Sequence, residues 1–187
     1  MIVSESYVDQ LKFLHRSKVF GDQSKIQPEV KRCIDQYNVE SILDFGCGKG
    51  NVIESLKQAY PNIDVYGYDP SNELYNVMPQ QVDLIFSTDV IEHIEPEYLD
   101  KTIDDLANRA KKVMHHLIAC HPAKRNLPDG RNAHLIIEEP NWWKAKLQKL
   151  SNWTIVNEEI KTSIAHPKKG PSIQVIKYLV TMEKNNE

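Results

Sequence analysis

An apolar run, Val39–Phe45, leads directly into Asp44-Phe45-Gly46-Cys47-Gly48-Lys49-Gly50, and no other stretch restricts the fold of this chain as strongly. Ser41–Phe45 reads as a short buried strand and Val52–Ala59 as a helix, with glycines filling the turn between them. A strand, a glycine-rich turn and a helix in succession bring backbone N–H groups and a helix N-terminus up to a ligand. Spacing then narrows the ligand. A dinucleotide fingerprint needs Gly-x-Gly-x-x-Gly, whereas Asn51 follows Gly50 and a carboxylate, Asp44, precedes the glycines. A phosphate loop needs Gly-Lys-Ser/Thr, whereas Lys49 is followed by Gly50. Gly46 and Gly48 allow a tight turn and close backbone approach where a Cβ would collide with a bound molecule.

Asp64–Tyr68 reads as a second strand and ends in Asp69, nineteen positions beyond Gly50. An acid at that tip can accept both hydroxyls of a ribose; equally, Asp69-Pro70-Ser71-Asn72 has the composition of a turn and helix cap. The glycine stretch resembles motif I of class I S-adenosylmethionine (SAM) dependent methyltransferases, Asp-x-Gly-x-Gly-x-Gly. That resemblance, spanning roughly residues 30–183, implies an α/β Rossmann-like sandwich whose mostly parallel sheet ends in an antiparallel strand pair. It also implies SAM as cofactor. Asp44 would pair with the positive methionyl end, and Gly46, Cys47, Gly48, Asp69, Pro70, Ser87 and Thr88 would border the rest.

The segment order supports that architecture. Helical segments at Ser6–Lys18 and Pro28–Tyr37 precede strand 41–45, helix 51–59, strand 64–68, strand 82–87, helix 97–112 and strand 114–120. A helix over Asn141–Leu150 and β-rich stretches at 153–160 and 173–183 complete the chain, the last two separated by a Pro/Lys/Gly loop, His166–Pro171. We expect one domain over 1–187, with 1–38 a helical lid segment to which Tyr7, His15, Phe20 and Gly21 contribute. One departure stands out. Only about a dozen residues separate Asp69 from Val82, where the family places a helix and a third strand ending in an adenine-binding acid. Ser71–Asn76 is read as a short helix and Val77-Met78 as a vestigial strand.

The segment Ser87-Thr88-Asp89-Val90-Ile91-Glu92-His93 follows the strand read at Val82–Phe86, and ligands in open α/β sheets sit at such carboxyl ends. On a helical turn Asp89, Glu92 and His93 would share one face and form a divalent-metal half-site. The pattern is similar to the Glu-x-x-Glu-His of small-RNA 2′-O-methyltransferases and ubiquinone-pathway O-methyltransferases, with Asp89 in place of the first Glu. The resemblance implies a fourth ligand, His134, in Asp129-Gly130-Arg131-Asn132-Ala133-His134, and an ion such as Mg²⁺ or Mn²⁺. The metal-free alternative leaves Glu92 as a solvated helix residue and His93 or His134 as the general base. Lys124 and Arg131, in the polar stretch Pro122–Trp143, are candidates to hold an anionic acceptor, with an Arg131 that merely caps a surface carboxylate as the other reading. Trp142 and Trp143 read as anchors of the following helix.

Composition limits the rest. A net charge of −3 gives no general attraction to nucleic acid, leaving only small basic patches at Lys111-Lys112, Lys124-Arg125 and Lys168-Lys169. Cys33, Cys47 and Cys120 lack metal-type spacing and suit free thiols in a reducing cytoplasm. No apolar run is long enough to cross a bilayer. The Asn-Pro-Pro-Tyr/Phe motif of amino-methylating enzymes is replaced by Ser87-Thr88-Asp89-Val90, which favours an oxygen acceptor. The expected activity is O-methylation of a small hydroxylated, sugar- or nucleotide-like acceptor with metal assistance. The alternatives are a nucleic-acid 2′-O-methyltransferase and a non-catalytic SAM-binding module.

Overall fold

In the computed structural model, which describes residues 3–16, 25–166 and 172–185, β1 (Ser41–Phe45), β2 (Asp64–Tyr68), β3 (Val82–Thr88) and β4 (Ala110–Ala119) run parallel. Next to β4 comes β6 (Ile173–Lys184), antiparallel, and β5 (Trp153–Ala165) closes the sheet, in the order β2-β1-β3-β4-β6-β5. This is the mostly parallel Rossmann-like sheet with a terminal antiparallel pair that the sequence implies. Side chains alternate between its faces. Ile42, Leu84 and Val113 point to a core shared with α2 (Pro28–Gln36) and α3 (Asn51–Ala59). Their neighbours Leu43, Ile85 and Met114 point to a second core with α1 (Glu5–His15), α4 (Pro96–Arg109) and α5 (Pro140–Leu147). Two covered faces are what a parallel sheet of Val, Ile and Leu runs requires.

Local chemistry sets the helix starts. Pro28, Pro96 and Pro140 each occupy a first helical turn, where the missing N–H has no partner to lose. Ser4 caps α1 by accepting the Tyr7 N–H at 3.1 Å, and Ser4 donates its own N–H and hydroxyl to Glu95 at 2.8 and 2.9 Å. The first helix is thereby tied to the start of α4. Trp143, fully buried, anchors α5 in the core as read.

Several sequence readings are corrected. The vestigial strand at Val77-Met78 and the short helix at Ser71–Asn76 do not form; residues 69–81 make turns, and β2 is a sheet edge. Arg109 fixes that turn segment through hydrogen bonds to Pro79 O (2.5 Å) and Asp105 (2.8 Å). The helix read to residue 112 stops at Arg109, and β4 begins at Ala110. The cause is remote in sequence: Asp83, nearly buried on β3, binds Lys111 and Lys112 at 2.8 and 3.1 Å and draws them into the sheet. That pair is therefore no free basic patch. The strand read as 153–160 extends to Ala165. Phe20, Gly21, Lys168, Lys169 and Pro171 lie outside the described residues.

Candidate functional site

The glycine turn sits at the carboxyl end of β1. Gly46 has φ +80° and a Cβ there would lie 2.4 Å from both methyl groups of Val90. Gly46 and Cys47 donate N–H bonds to Tyr68 O at the end of β2, at 2.7 and 3.1 Å. Asp69 then closes the turn: one carboxylate oxygen accepts the Gly48 N–H at 3.1 Å, and the other accepts the Ser71 N–H and hydroxyl at 2.9 and 2.6 Å. Asn72 donates to Gly48 O at 2.7 Å, and the Tyr75 ring packs where a Cβ of Gly50 would sit. Asp69 thus lies at the expected strand tip and also performs the turn role that its sequence context allows. Pro70 lies within this turn.

Asp44 is 5% exposed at the end of β1. Burial, and then the neighbouring Asp69 carboxylate, push its carboxyl up to about 7. The sign follows from linkage. The folded protein retains a proton that the unfolded chain releases between the ordinary carboxylate range and about pH 7, so this group weakens the ligand-free fold as pH rises through that window. Asp44→Asn is expected to flatten the corresponding part of the pH–stability profile, measured by urea denaturation between pH 4 and 7.

Beside this turn, Lys12 and His15 of α1 face Lys49 and residues Ser71–Leu74 across an open cavity of about 540 Å³. Leu74 and Val77 are 85% and 78% exposed. They offer apolar surface where the family's third-strand acid is missing.

A second constellation follows β3. Asp89 takes a left-handed backbone (φ +53°), and Ile91–His93 form a 3₁₀ turn. Asp89, Glu92 and His93 accordingly do not share an α-helical face. Glu92, His93 and His134 do converge: one ligand atom from each lies within 4.8 Å of the others. Asp89 is not among these three: Lys177 of β6 holds its Oδ2 at 2.6 Å, while its Oδ1 is buried with no hydrogen-bond partner among the described residues. Glu92 is completely buried; Oε1 accepts the Ala119 N–H at 3.1 Å, and Oε2 has no partner among the described residues. Burial and the Asp89 charge push its carboxyl up to about 8. It is therefore no solvated helix residue.

The His134 Nδ1 donates to His121 O at 2.5 Å, which turns its Nε2 towards Glu92 Oε1, 4.0 Å away. Burial, and then the adjacent His134, hold the His93 ring neutral, with its pKa lowered to about 3, while a hydrogen bond to the Ala133 backbone opposes the shift. The two imidazoles meet edge to face with centroids 4.7 Å apart. A carbonyl behind an imidazole fixes its tautomer and aims the other nitrogen, as around metal-bound histidines.

The cluster opens on a cavity of about 290 Å³ lined by Asp89, His93, His121, Lys124, Arg125, His134 and Lys177, among others. Lys124 is among the lining residues. Arg131 is not; it pairs with Asp129 at 2.7 Å on the surface. The Ser87 hydroxyl is fully buried and bonds His116 Nδ1 at 2.8 Å inside the sheet. Thr88, half-buried, ends β3. Ser87→Ala should cost about 1–2 kcal/mol, read by urea denaturation, by stranding the His116 nitrogen. Cys47 is buried, and its thiol is held above the ordinary range by burial. Lys177 was not legible as a site residue, since a lysine in an alternating strand carries no signal of its partner 88 positions away.

A parallel sheet with a glycine turn after β1, an acid at the tip of β2 and polar side chains after β3 defines a class I SAM-dependent methyltransferase fold. Residues 16–160 match the methyltransferase domain family, and the chain belongs to it. A demethylmenaquinone methyltransferase from Thermotoga maritima is 26% identical over 82 residues, spanning 44% of this chain and 36% of that protein. Among solved structures, the 1,6-didemethyltoxoflavin N1-methyltransferase of Burkholderia thailandensis, holding its substrate and S-adenosylhomocysteine (SAH), superposes with a TM-score of 0.62. It is 14% identical, with 97% of this chain and 89% of that one covered. The N-methyltransferase NodS of Bradyrhizobium japonicum, also with SAH, gives 0.58 at 11% identity, covering 96% and 100%. At such identities the likeness concerns the fold. Among the described residues no helix is long and apolar enough to cross a membrane.

Proposed function

We propose that this protein transfers the methyl group of SAM to a hydroxyl of a small, hydroxylated, sugar- or nucleotide-like acceptor, assisted by a divalent ion on Glu92, His93 and His134. The observation that carries the reading is the Glu92 Oε2, buried without a partner beside two aimed imidazoles. One carboxylate and two neutral imidazoles form a donor set suited to Mn²⁺ and related ions. Such an ion supplies Lewis acidity that lowers the pKa of an acceptor hydroxyl.

The residues also fit SAM, which supplies an electrophilic methyl group. Asp44, costly to ionise in its buried position, is matched by a cationic amino group. Asp69 stands at the ribose side, and Leu74 and Val77 present apolar surface for a purine. The chain's remaining work is orientation. Residues 133–134 and 119–121 hold the two histidines and Glu92 in register, and Lys124 presents positive charge to an acceptor bearing phosphate or carboxylate. Positioning of this kind supplies much of the rate of an in-line displacement. The chain acts in this reading as one domain in the cytoplasm, with α1 covering the cofactor side.

The test is a methyl-transfer screen with labelled SAM against diols, sugar phosphates, nucleotides and short RNA, with Mn²⁺ and with chelator. Transfer to a small diol that stops on chelation supports the proposal. Transfer unaffected by chelation would remove the metal and leave His134 as the base.

A further inference from the structure

The last strand of the sheet, β5, is 13 residues long, and no described residue pairs with its outer side. Such an edge presents a row of N–H and C=O groups to any other strand. Proteins usually blunt long edges with proline, charge or a bulge. Here β5 contains no proline, its one irregularity lies near its start at Ile155/Asn157, and the charges it carries, Glu158, Glu159 and Lys161, are of both signs. Beyond that irregularity, Ile160 and Ile164 are 55% and 64% exposed. We infer that this edge is a homodimer interface, in which β5 pairs antiparallel with β5 of a second copy to make one continuous sheet.

The sequence of the strand selects both the partner and the register. A two-fold axis normal to a continuous sheet must pass through a pair of identical residues. If it passed between residues, side chains from opposite faces would be set against each other. Centring the pair on Glu158, Glu159 or Lys161 places that charge directly opposite its own copy, a destabilising arrangement. Centring it on Ile160 sets Ile160 against the second copy's Ile160. Glu159 then faces the second copy's Lys161, and Lys161 faces the second copy's Glu159. Glu158 falls opposite Thr162 and Asn157 opposite Ser163, so the regular stretch after the bulge pairs without a like-charge contact. Centring on Thr162 forms no ion pair at all. Glu159 and Lys161 are about half exposed and 3.4 Å apart within one chain; Lys161 also reaches Glu29 of α2 at 3.4 Å, so pairing across the axis exchanges its Glu159 contact and leaves the Glu29 one in place. The even spacing of one acid and one base about a central isoleucine is self-complementarity, the property an isologous interface needs.

The same hairpin walls the candidate acceptor cavity through Ala165, Ile173, Val175 and Lys177. Pairing of the edge therefore also stiffens the segment that borders the acceptor.

Charge reversal tests the register. The wild type should sediment at twice the 21.6 kDa chain mass. Glu159→Lys alone and Lys161→Glu alone each place two like-charge pairs across the axis and should sediment at the single-chain mass. Mixing these two variants restores both opposite-charge pairs, and the mixture should return to the double mass. Because the mixture repairs the defect without any new sequence, misfolding cannot mimic that result. A wild type that stays at single-chain mass, single variants that remain dimeric, or a mixture that stays monomeric would each overturn the inference.

Discussion

Replacing Glu92 with Gln is expected to abolish divalent-ion binding while making the metal-free protein more stable. Glu92 is wholly buried, and its Oε2 has no hydrogen-bond partner among the described residues. A carboxylate in that position is desolvated without compensation, which costs free energy unless a cation or proton arrives. Glutamine keeps the shape and can still accept the Ala119 N–H through its amide oxygen. It removes the charge. We expect a gain on the order of 1–3 kcal/mol in metal-free stability by chemical denaturation, and a loss of Mn²⁺ affinity greater than about 100-fold by calorimetry, since substitutions even behind a ligand cost up to that much. Opposite signs on the two measurements separate a functional carboxylate from a structural one. If Gln destabilises the protein and leaves Mn²⁺ binding unchanged, Glu92 is a packing residue.

A second large effect is expected at the glycine turn. Gly46→Ala must place a side chain at φ +80° and at 2.4 Å from both Val90 methyls. Backbone strain of about 1–3 kcal/mol adds to overpacking of about 1–3 kcal/mol, so a loss of roughly 2–6 kcal/mol in unfolding free energy should follow. Val90→Ala removes the collision and leaves the strain. In the double variant only the overpacking part should be recovered, and the two singles should couple by about 1 kcal/mol or more. Coupling near zero would mean that the turn moves as a unit and that Val90 does not set its position.

What could be read from the sequence follows the range of the interactions involved. The unit β1, glycine turn, α3 and β2 was legible to the residue, because an apolar run, three glycines and helix periodicity act within a few positions. The start of β4 was not legible, since Asp83 holds Lys111 and Lys112 from a different strand. Neither was the shape of the site after β3. Its chemistry was visible in Glu92, His93 and His134, but the expected α-turn gives way to a left-handed Asp89 and a 3₁₀ turn. Lys177, far along the chain, pairs with Asp89 beside the cluster. Arg131 is open to two readings from sequence, and its pairing with Asp129 acts over only two positions. Residues 69–81 departed from the family pattern in length alone, and Arg109 and Tyr75 give that segment its turns.

The measurement that bears most directly on the account is calorimetric titration of SAH into the protein, with and without Mn²⁺, repeated on Asp44→Asn. The account predicts saturable one-to-one binding, weakened at least about tenfold by the variant through loss of a buried charge–charge contact and independent of Glu92→Gln. No SAH binding to the wild type would contradict it, and would leave the chain as a methyltransferase-family fold whose shortened purine side has lost the cofactor.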